Sequence, residues 1–182
     1  MGTHKSAGGR LSHVPELQVR RLLEPFERAG VKYVVIGAVA AIAQGYPLTT
    51  QDLDLAPARD PVNLERIATA LRELGAELRV TGGTSMPFPL DPKFLGEADS
   101  WTLVTAHGDL DLVFLPAGTT GYDDLRRDAI EVDLGAGLSV WMASLRDVIR
   151  SKEASNRIKD QAQLPALRQT LEVIRRRERE DG

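Results

Sequence analysis

One stretch, from Tyr33 to Ala56, limits most strongly what this chain can fold into. It begins with the apolar run YVVIG, continues through a small-residue segment that closes at Gly45, and ends in an extended segment that contains Asp52 and Asp54. Successive side chains of a strand point to opposite faces, so we expect the two carboxylates to share one face while the intervening leucines enter the core. The stretch therefore predicts a strand, a short helix and a second strand that carries paired acids.

The paired acids indicate a site for a divalent cation. Hard cations such as Mg²⁺ bind carboxylate oxygens and keep open positions for phosphate. Gly37 permits close backbone approach, and a helix that starts near Ala38 offers unpaired N–H groups to the same phosphates. Two solvent-exposed aspartates on an edge strand are the simpler explanation. Against it, aspartate is unfavourable inside strands, and a second pair, Asp109 and Asp111, occurs in another strand-like run.

Composition narrows the class of protein. The 182 residues are 42% hydrophobic and 27% charged, which is typical of a globular domain. Cysteine is absent from the sequence, which excludes disulfides and thiolate metal sites and favours a cytoplasmic location. No apolar run approaches the roughly 20 residues of a membrane span, so we expect no membrane association. Residues 1–14 lack the hydrophobic centre of a signal peptide and are predicted to form a flexible arm.

Charge is distributed unevenly along the chain. Residues 146–179 contain ten basic and five acidic residues, a net charge of +5, whereas the whole chain carries −3 and the remainder therefore −8. An acidic metal site joined to a basic wall that faces an anion or RNA would produce this asymmetry. A solvent-exposed, arginine-rich amphipathic helix explains the basic segment equally well.

The N-terminal half predicts alternating helices and strands. An amphipathic pattern predicts a helix over residues 15–29 that is kinked or split at Pro25. After the acid-bearing strand, Asp60 is placed to cap a further helix that Gly75 terminates. The resulting order is α-β-α-β-α, and the glycine- and proline-rich residues 81–98 follow as a long loop.

The C-terminal half predicts more strands and then helices. Two extended runs joined at His107-Gly108 indicate a hairpin, a short helix lies within residues 118–128, and AIEVDL and LSVWMA are two further strands. Ser144 is placed to cap a helix, and helical patterning continues to about Arg179 with an interruption near Pro165.

The segment IGAVAAIAQGYPLTTQDLDL resembles the signature of the DNA polymerase β-type nucleotidyltransferase superfamily. That signature is a hydrophobic residue and a Gly-Gly or Gly-Ser turn, followed at about this distance by two alternate acids, with a third acid on a later strand. The small-residue helix, the approach to the acids and the tail RSKEASNRIKDQAQLPAL are similar to the AbiEii and MenT-type toxin nucleotidyltransferases. The resemblance covers roughly residues 20 to 170.

The resemblance implies an α/β (α+β) nucleotidyltransferase fold, in which helices flank a mixed sheet. The core would span residues 15–143, and residues 144–182 would form a helical C-terminal extension. Asp52, Asp54 and Asp111 match the catalytic acids and would share Mg²⁺ or Mn²⁺. In the family the third acid binds the metal that activates the attacking hydroxyl, or acts as its base. Asp109 faces the same way, but the matching family position is often not acidic, so we treat it as auxiliary.

The resemblance also implies contacts with a nucleotide. Gly37 and Ala38 match the nucleotide-binding turn, although Ala38 replaces the usual Gly or Ser, and Leu48 replaces a basic residue of many relatives. In the toxin-type relatives, a lysine on the penultimate helix and an aspartate on the last helix point towards the nucleotide. The tail supplies these residue types at Lys152 and Asp160, which are therefore candidate catalytic residues.

Further basic residues lie beside this pair in the sequence. Arg157 is a candidate nucleotide-binding residue, together with Lys152, and Lys159 is close to both. An ammonium group can neutralise a β- or γ-phosphate, and a nearby carboxylate can hold it in place. The alternative is a set of surface ion pairs at helical spacing, which would contribute little to stability or function.

The implied activity is Mg²⁺-dependent transfer of NMP from an NTP to an RNA acceptor, by resemblance the 3′ end of tRNA. The protein would then act as the toxin of a toxin-antitoxin pair, with a cognate antitoxin protein as its partner. One alternative is nucleotidylation of a protein or of a small molecule such as an aminoglycoside. Another is a catalytically silent nucleotide-fold protein that only binds a partner, which the intact set of three acids disfavours.

Overall fold

A mixed β-sheet is the centre of the fold in the computed structural model, which describes residues 17–81 and 83–180. In chain order the elements are α1 (Val19–Arg28), β1 (Tyr33–Ile36), α2 (Gly37–Ala43), β2 (Asp52–Pro57), α3 (Pro61–Glu73), β3 (Glu77–Val80), β4 (Thr84–Met86), α4 (Pro92–Leu95), β5 (Ser100–Thr105), β6 (Gly108–Val113), α5 (Tyr122–Arg127), β7 (Ile130–Asp133), β8 (Ser139–Met142), α6 (Leu145–Ser155) and α7 (Ile158–Glu180). The flexible arm predicted for residues 1–14 lies outside the described residues.

The sheet has the strand order β4-β3-β5-β6-β2-β1-β8-β7. Strands β1 and β2 are antiparallel, as are β5 and β6, whereas β2 pairs with β6 and β1 with β8 in parallel. The mixed sheet with flanking helices and a C-terminal helix confirms the predicted fold class. The hairpin predicted at His107-Gly108 is present as the β5–β6 connection.

The two acid-bearing strands alternate between core and cavity as predicted. Leu53 and Leu55 of β2, and Leu110 and Leu112 of β6, are fully buried, whereas the acids between them are half-buried. Each buried leucine contributes about 1.5–3 kcal/mol through the removal of apolar surface from water. This burial fixes the register, because a shift by one residue would place the acids in the core.

Helix α1 is continuous through Pro25, so the prediction of a split helix was wrong. The apolar side of the helix is fully buried at Leu22, Leu23 and Phe26. Packing of these three side chains stabilises the helix even though Pro25 has no N–H and one helical hydrogen bond is missing. Other predicted features of the helices are confirmed: Asp60 accepts a hydrogen bond from the Asn63 N–H at the start of α3.

The long ordered loop or flap predicted over residues 81–98 contains regular elements among its described residues, 81 and 83–98. They include the short edge strand β4 and the one-turn helix α4, which Asp91 caps by accepting a hydrogen bond from the Phe94 N–H. Strand β3 was also missed by the sequence pattern, because it has only four residues and these, like those of β4, are exposed or half-buried. Pairing with β5 through the backbone holds β3 in the sheet.

The C-terminal helices break at Asn156 rather than at Pro165. Asn156 has φ of +52°, a left-handed conformation that asparagine adopts more readily than most residues and that ends α6. Pro165 lies inside α7, where it and Gln161, whose carbonyl loses its helical partner, are exposed. Water can therefore replace the missing bond. Ser144 caps α6 as predicted, accepting a hydrogen bond from the Asp147 N–H.

Within the described part of the chain, none of the helices combines the length and apolar character that crossing a membrane requires.

Candidate active site

The structure brings the three predicted metal-binding acids together. Asp52 and Asp54 project from β2 and Asp111 from β6, and the parallel register places Asp54 directly beside Asp111. One carboxylate oxygen from each of the three lies within 4.8 Å of the others. Asp109 pairs with Asp52 in the register but does not belong to this group of three oxygens.

The three acids form an electrostatically unfavourable cluster. Burial and, to a smaller extent, the negative charges of Asp52 and Asp111 together raise the pKa of Asp54 to about 7, against the opposing effect of Lys152 and Lys159. Burial likewise raises the pKa of Asp111 to about 6, although the nearby Arg79 guanidinium opposes this. Neutral carboxyls are favoured because the ionised forms are partly desolvated and repel one another.

A divalent cation would remove this repulsion. The donor set consists of carboxylate oxygens, which Mg²⁺ and Mn²⁺ prefer, and the oxygens are close enough to bind one ion. The pKa values of Asp54 and Asp111 are raised even though Lys152, Lys159 and Arg79 oppose this. The positive charge of the protein is therefore too small to balance the carboxylates, and a divalent cation fits the site. Asp52, Asp54 and Asp111 are therefore suited to hold the metal.

The turn before α2 packs directly on one of these acids. Gly37 has φ of +66°, and a Cβ at this position would lie 3.0 Å from Asp54 Cγ and closer still to a carboxylate oxygen. Only glycine fits both the conformation and the space. Helix α2 is in turn fixed to the start of α6 by Gln44, which donates to the Ala143 carbonyl and accepts from the Leu145 N–H.

A second charged cluster forms where α6 meets α7. Asp160 is fully buried and accepts hydrogen bonds from Lys152 Nζ at 3.1 Å, Ser155 Oγ at 2.8 Å and Arg157 Nε at 2.8 Å. Burial raises the pKa of Asp160, but these hydrogen bonds outweigh it and lower the pKa to about 2. The side chain of Lys152 is only 17% exposed, so this is not the surface ion pair that the sequence left open.

Both clusters face one cavity of about 580 Å³. A volume of this size is suitable for a nucleotide-sized ligand. The wall contains every predicted site residue: Gly37, Ala38, Asp52, Asp54, Asp111, Lys152, Arg157 and Asp160. Lys159 also lies on the wall, as do Leu48 and apolar residues of α5 and α6 such as Leu125 and Val148. The cavity therefore combines an acidic end, a basic end and an apolar wall.

Sequence reasoning missed several residues that organise the site. Arg79 of β3 forms ion pairs with Asp109 and Asp111, the latter at 3.3 Å. No sequence pattern indicated Arg79, because β3 itself was not recognised. Ser155 and Gln44 were missed since single hydroxyl and amide side chains carry no pattern. For Ser155 alone a signal existed, because it lies in the same tail segment as Lys152 and Asp160.

Neither a protein-family model nor a curated protein sequence matches the chain. Its fold is similar to the crystal structure of a Thermotoga maritima protein that is provisionally described as a nucleotidyltransferase. The two share 15% sequence identity with a TM-score of 0.54, and the match covers 85% of this chain and 96% of that chain. At this identity the likeness shows the fold alone. The chain therefore has an α/β fold of the nucleotidyltransferase type, with a mixed sheet, flanking helices and a C-terminal helix.

Proposed function

We propose that the protein is a metal-dependent nucleotidyltransferase that moves NMP from an NTP to a hydroxyl acceptor. One observation carries the proposal: three convergent carboxylates and a buried Lys152–Asp160 pair face the same nucleotide-sized cavity. Buried ion pairs contribute little net stability, so a buried lysine that also reaches a cavity wall is better explained by ligand binding than by folding.

The proposed chemistry exchanges one phosphorus–oxygen bond for another. The acceptor oxygen bonds to the α-phosphorus, the bond from the α-phosphorus to the bridging oxygen breaks, and pyrophosphate leaves. Asp111, beside Asp54 on the cavity wall, would either bind the metal that activates the hydroxyl or accept the hydroxyl proton. Mg²⁺ or Mn²⁺ held by Asp52, Asp54 and Asp111 would supply positive charge to the reacting oxygens.

The basic end of the cavity is suited to the phosphates that leave. Lys152 is held in place by Asp160, so its ammonium needs no reorganisation to meet developing negative charge on pyrophosphate. Arg157, whose side chain is 64% exposed, and Lys159 add positive charge at the same wall. Gly37 and Ala38 form the turn that faces the nucleotide.

We further propose that the acceptor is RNA, specifically the 3′ end of tRNA, and that the protein acts as the toxin of a toxin-antitoxin pair. The sequence resemblance to AbiEii and MenT-type toxins supports this, as does the net charge of +5 over residues 146–179. A basic helical segment beside the cavity provides the sequence-independent attraction to phosphate that RNA binding requires. The cognate antitoxin would be the protein partner.

The decisive experiment is labelling with each α-³²P NTP in turn, in the presence of Mg²⁺ or Mn²⁺ and total RNA. We expect label in a band of tRNA size from at least one NTP and none from the Asp54→Asn variant. Label in protein or in a small molecule instead would favour those acceptors over RNA. Absence of transfer from all four NTPs to RNA, protein and small-molecule extracts would overturn the proposed function.

The toxin role needs a test of its own. Induced expression of the wild-type chain should stop the growth of a bacterial host, and expression of the Asp54→Asn variant at the same level should not. Equal growth of the two cultures would contradict the toxin role while leaving the transferase activity intact.

A further inference from the structure

Arg79 is a charged residue that belongs to neither cluster of the cavity. It lies on β3 and reaches past β5 to form ion pairs with Asp109 and Asp111 of β6. Its side chain is 34% exposed, so part of the side chain faces solvent. Among the residues that the structure describes, it is not part of the cavity wall.

The position of Arg79 relative to the cavity follows from the strand order. The cavity wall includes the end of β1, Ala143 just after β8, residues of α6 and α7, and the acids of β2 and β6. Strands β5, β3 and β4 lie on the other side of β6. The row of acids therefore separates two positively charged regions, with Lys152 and Lys159 on one side and Arg79 on the other.

We propose that Arg79 binds the acceptor RNA, through the last internucleotide phosphate before its 3′ end. This inference rests on the proposed function. The attacking oxygen and the leaving pyrophosphate must lie on opposite sides of the α-phosphorus. With pyrophosphate beside Lys152, the acceptor hydroxyl approaches from the side of Asp111 that faces β5 and β3.

Arg79 is the positive charge on that approach. The terminal ribose hydroxyl that attacks is on the same nucleotide as the last internucleotide phosphate, so a group that touches Asp111 is within reach of both. A guanidinium binds a phosphate through two parallel hydrogen bonds, which favours arginine over lysine for this purpose.

The surrounding face of the sheet is open and polar. Thr102 of β5 is paired with Asp111, and Ser85 of β4 is paired with Arg79, so these side chains share the face of the acids. Strand β4 is exposed along its whole length. An extended RNA end can therefore lie across β5, β3 and β4 without displacing core residues.

In this arrangement Asp109 would hold Arg79 in place. A carboxylate that holds a metal ion is a weaker partner for Arg79, so an arginine bound to Asp111 alone would lose its anchor when the metal site is filled. Asp109 is outside the group of three converging oxygens and supplies a second carboxylate to Arg79. The guanidinium is thereby held beside the metal site in the active state.

The test is a cycle that removes the arginine and the phosphate charge separately. The probe is a synthetic RNA hairpin that copies a tRNA acceptor stem with its single-stranded 3′ end. A second hairpin carries a neutral methylphosphonate at the last linkage, and the penultimate sugar of both is 2′-deoxy so that the linkage is stable. Half-saturating RNA concentrations for NMP transfer and RNA binding by fluorescence anisotropy are measured for wild type, Arg79→Ala and Arg79→Lys.

We expect Arg79→Ala to raise the half-saturating concentration of the phosphate hairpin about tenfold or more, the effect of one charge-assisted contact. On the methylphosphonate hairpin the same substitution should change it less than about twofold, because the contact is already lost. Arg79→Lys should lie between the two, since an ammonium lacks the second hydrogen bond. The half-saturating NTP concentration should not change.

Arg28→Ala is the matched control. Arg28 also forms an exposed ion pair, with Glu73, but lies on α1, and its removal should leave both hairpins unaffected. Equal losses on both hairpins for Arg79→Ala would overturn the inference. So would a change in Mn²⁺ or NTP affinity with normal RNA affinity, which would make Arg79 a positioning residue for Asp111. Transfer by the wild type to protein only would overturn the RNA acceptor and this inference together.

Discussion

The acid cluster and the Asp160 cluster line the same cavity, but the protein satisfies only one of them. Asp160 accepts three hydrogen bonds from side chains, two of them cationic, and its pKa falls to about 2. Asp54 is half-buried, yet its charged neighbours include two further acids, and its pKa rises to about 7. The same residue type is thus shifted in opposite directions at two ends of one site.

The difference is that side chains of the protein compensate the charge of Asp160 but not the charges of the three acids. Asp160 has its hydrogen-bond partners without a ligand. Its bond to Lys152 holds that side chain at the cavity wall. Asp52, Asp54 and Asp111 are not satisfied by the protein alone, because ionisation of all three costs free energy, and a bound cation would offset this cost. Substitutions in the two clusters should therefore have opposite effects on stability and similar effects on activity.

The largest effect should come from removal of a metal-binding charge. Asp54→Asn keeps the shape of the side chain but removes a ligand for the cation, and we expect NMP transfer to fall by about a thousandfold or more. Circular dichroism should show an unchanged fold. Asp109→Asn, on the same sheet face but outside the cluster, is the matched control and should keep the catalytic rate constant within about tenfold. Normal transfer by folded Asp54→Asn would remove this residue from the mechanism.

Removal of the satisfied acid should cost stability instead. Asp160→Ala leaves Lys152 without its buried partner, and loss of one member of a buried pair costs about 3 kcal/mol. Urea unfolding measures this directly. Asp99→Ala breaks an exposed pair with Arg59 and should change the free energy of unfolding by less than about 1 kcal/mol. If both variants lose the same amount, the Asp160 cluster is not a structural element.

Lys152 is bonded to Asp160 and faces the same cavity as the three acids, so its removal should affect catalysis. We expect Lys152→Ala to lower the rate constant of NMP transfer about a hundredfold, because its charge acts on phosphate that gains negative charge as the bond breaks. Asp160 retains its bonds from Ser155 and Arg157, so the fold should remain. Single-turnover assays at saturating NTP and RNA isolate this step. Lys93→Ala, an exposed lysine of α4, serves as the control, and a Lys152 variant with the same rate as this control would contradict the role.

The sequence predicted the acid cluster well because strand geometry leaves little freedom. Alternation in DLDL and in a second DLDL fixed which side chains share a face, and burial of the leucines fixed the register between β2 and β6. The family resemblance added Lys152 and Asp160, which no local pattern would have connected with Asp52 and Asp54, about 100 residues earlier. The burial of these two side chains and the hydrogen bond between them could not be predicted from the sequence.

Other parts of the fold escaped prediction for identifiable reasons. Strands β3 and β4 are short and exposed or half-buried, so their formation depends on backbone pairing, of β3 with β5 and of β4 with β3, rather than on burial of an apolar face. That omission also concealed Arg79 and its contact with Asp111. Pro165 was expected to interrupt the final helix, whereas the break lies at Asn156, where a left-handed residue ends α6 before α7 begins. A proline removes one backbone N–H donor from a helix, but it does not necessarily end the helix.

The smallest effect we predict is a difference in pH dependence between the two clusters in the metal-free protein. The pKa of Asp54 in the folded state, about 7, lies above its ordinary value of 3.8. Its contribution to stability is therefore fully present below about pH 4 and is lost as the pH rises through 7. Asp160 has the opposite sign, since its pKa of about 2 lies below 3.8, and its contribution is lost only in acid.

Between pH 5 and pH 8 Asp54 should therefore titrate and Asp160 should not, whereas Asp111, with a pKa of about 6, titrates over this interval in both wild type and Asp54→Asn. In EDTA, the stability of Asp54→Asn relative to wild type should rise by about 1–2 kcal/mol over this interval, because wild type must ionise beside Asp52 and Asp111, with only Lys152 and Lys159 opposing. The penalty of Asp160→Asn should stay constant over the same interval. Urea unfolding of the three proteins at both pH values measures the difference, and saturating Mn²⁺ should abolish the rise by neutralising the cluster. A rise that persists in Mn²⁺, or parallel curves in EDTA, would mean that the three acids do not act as one cation site.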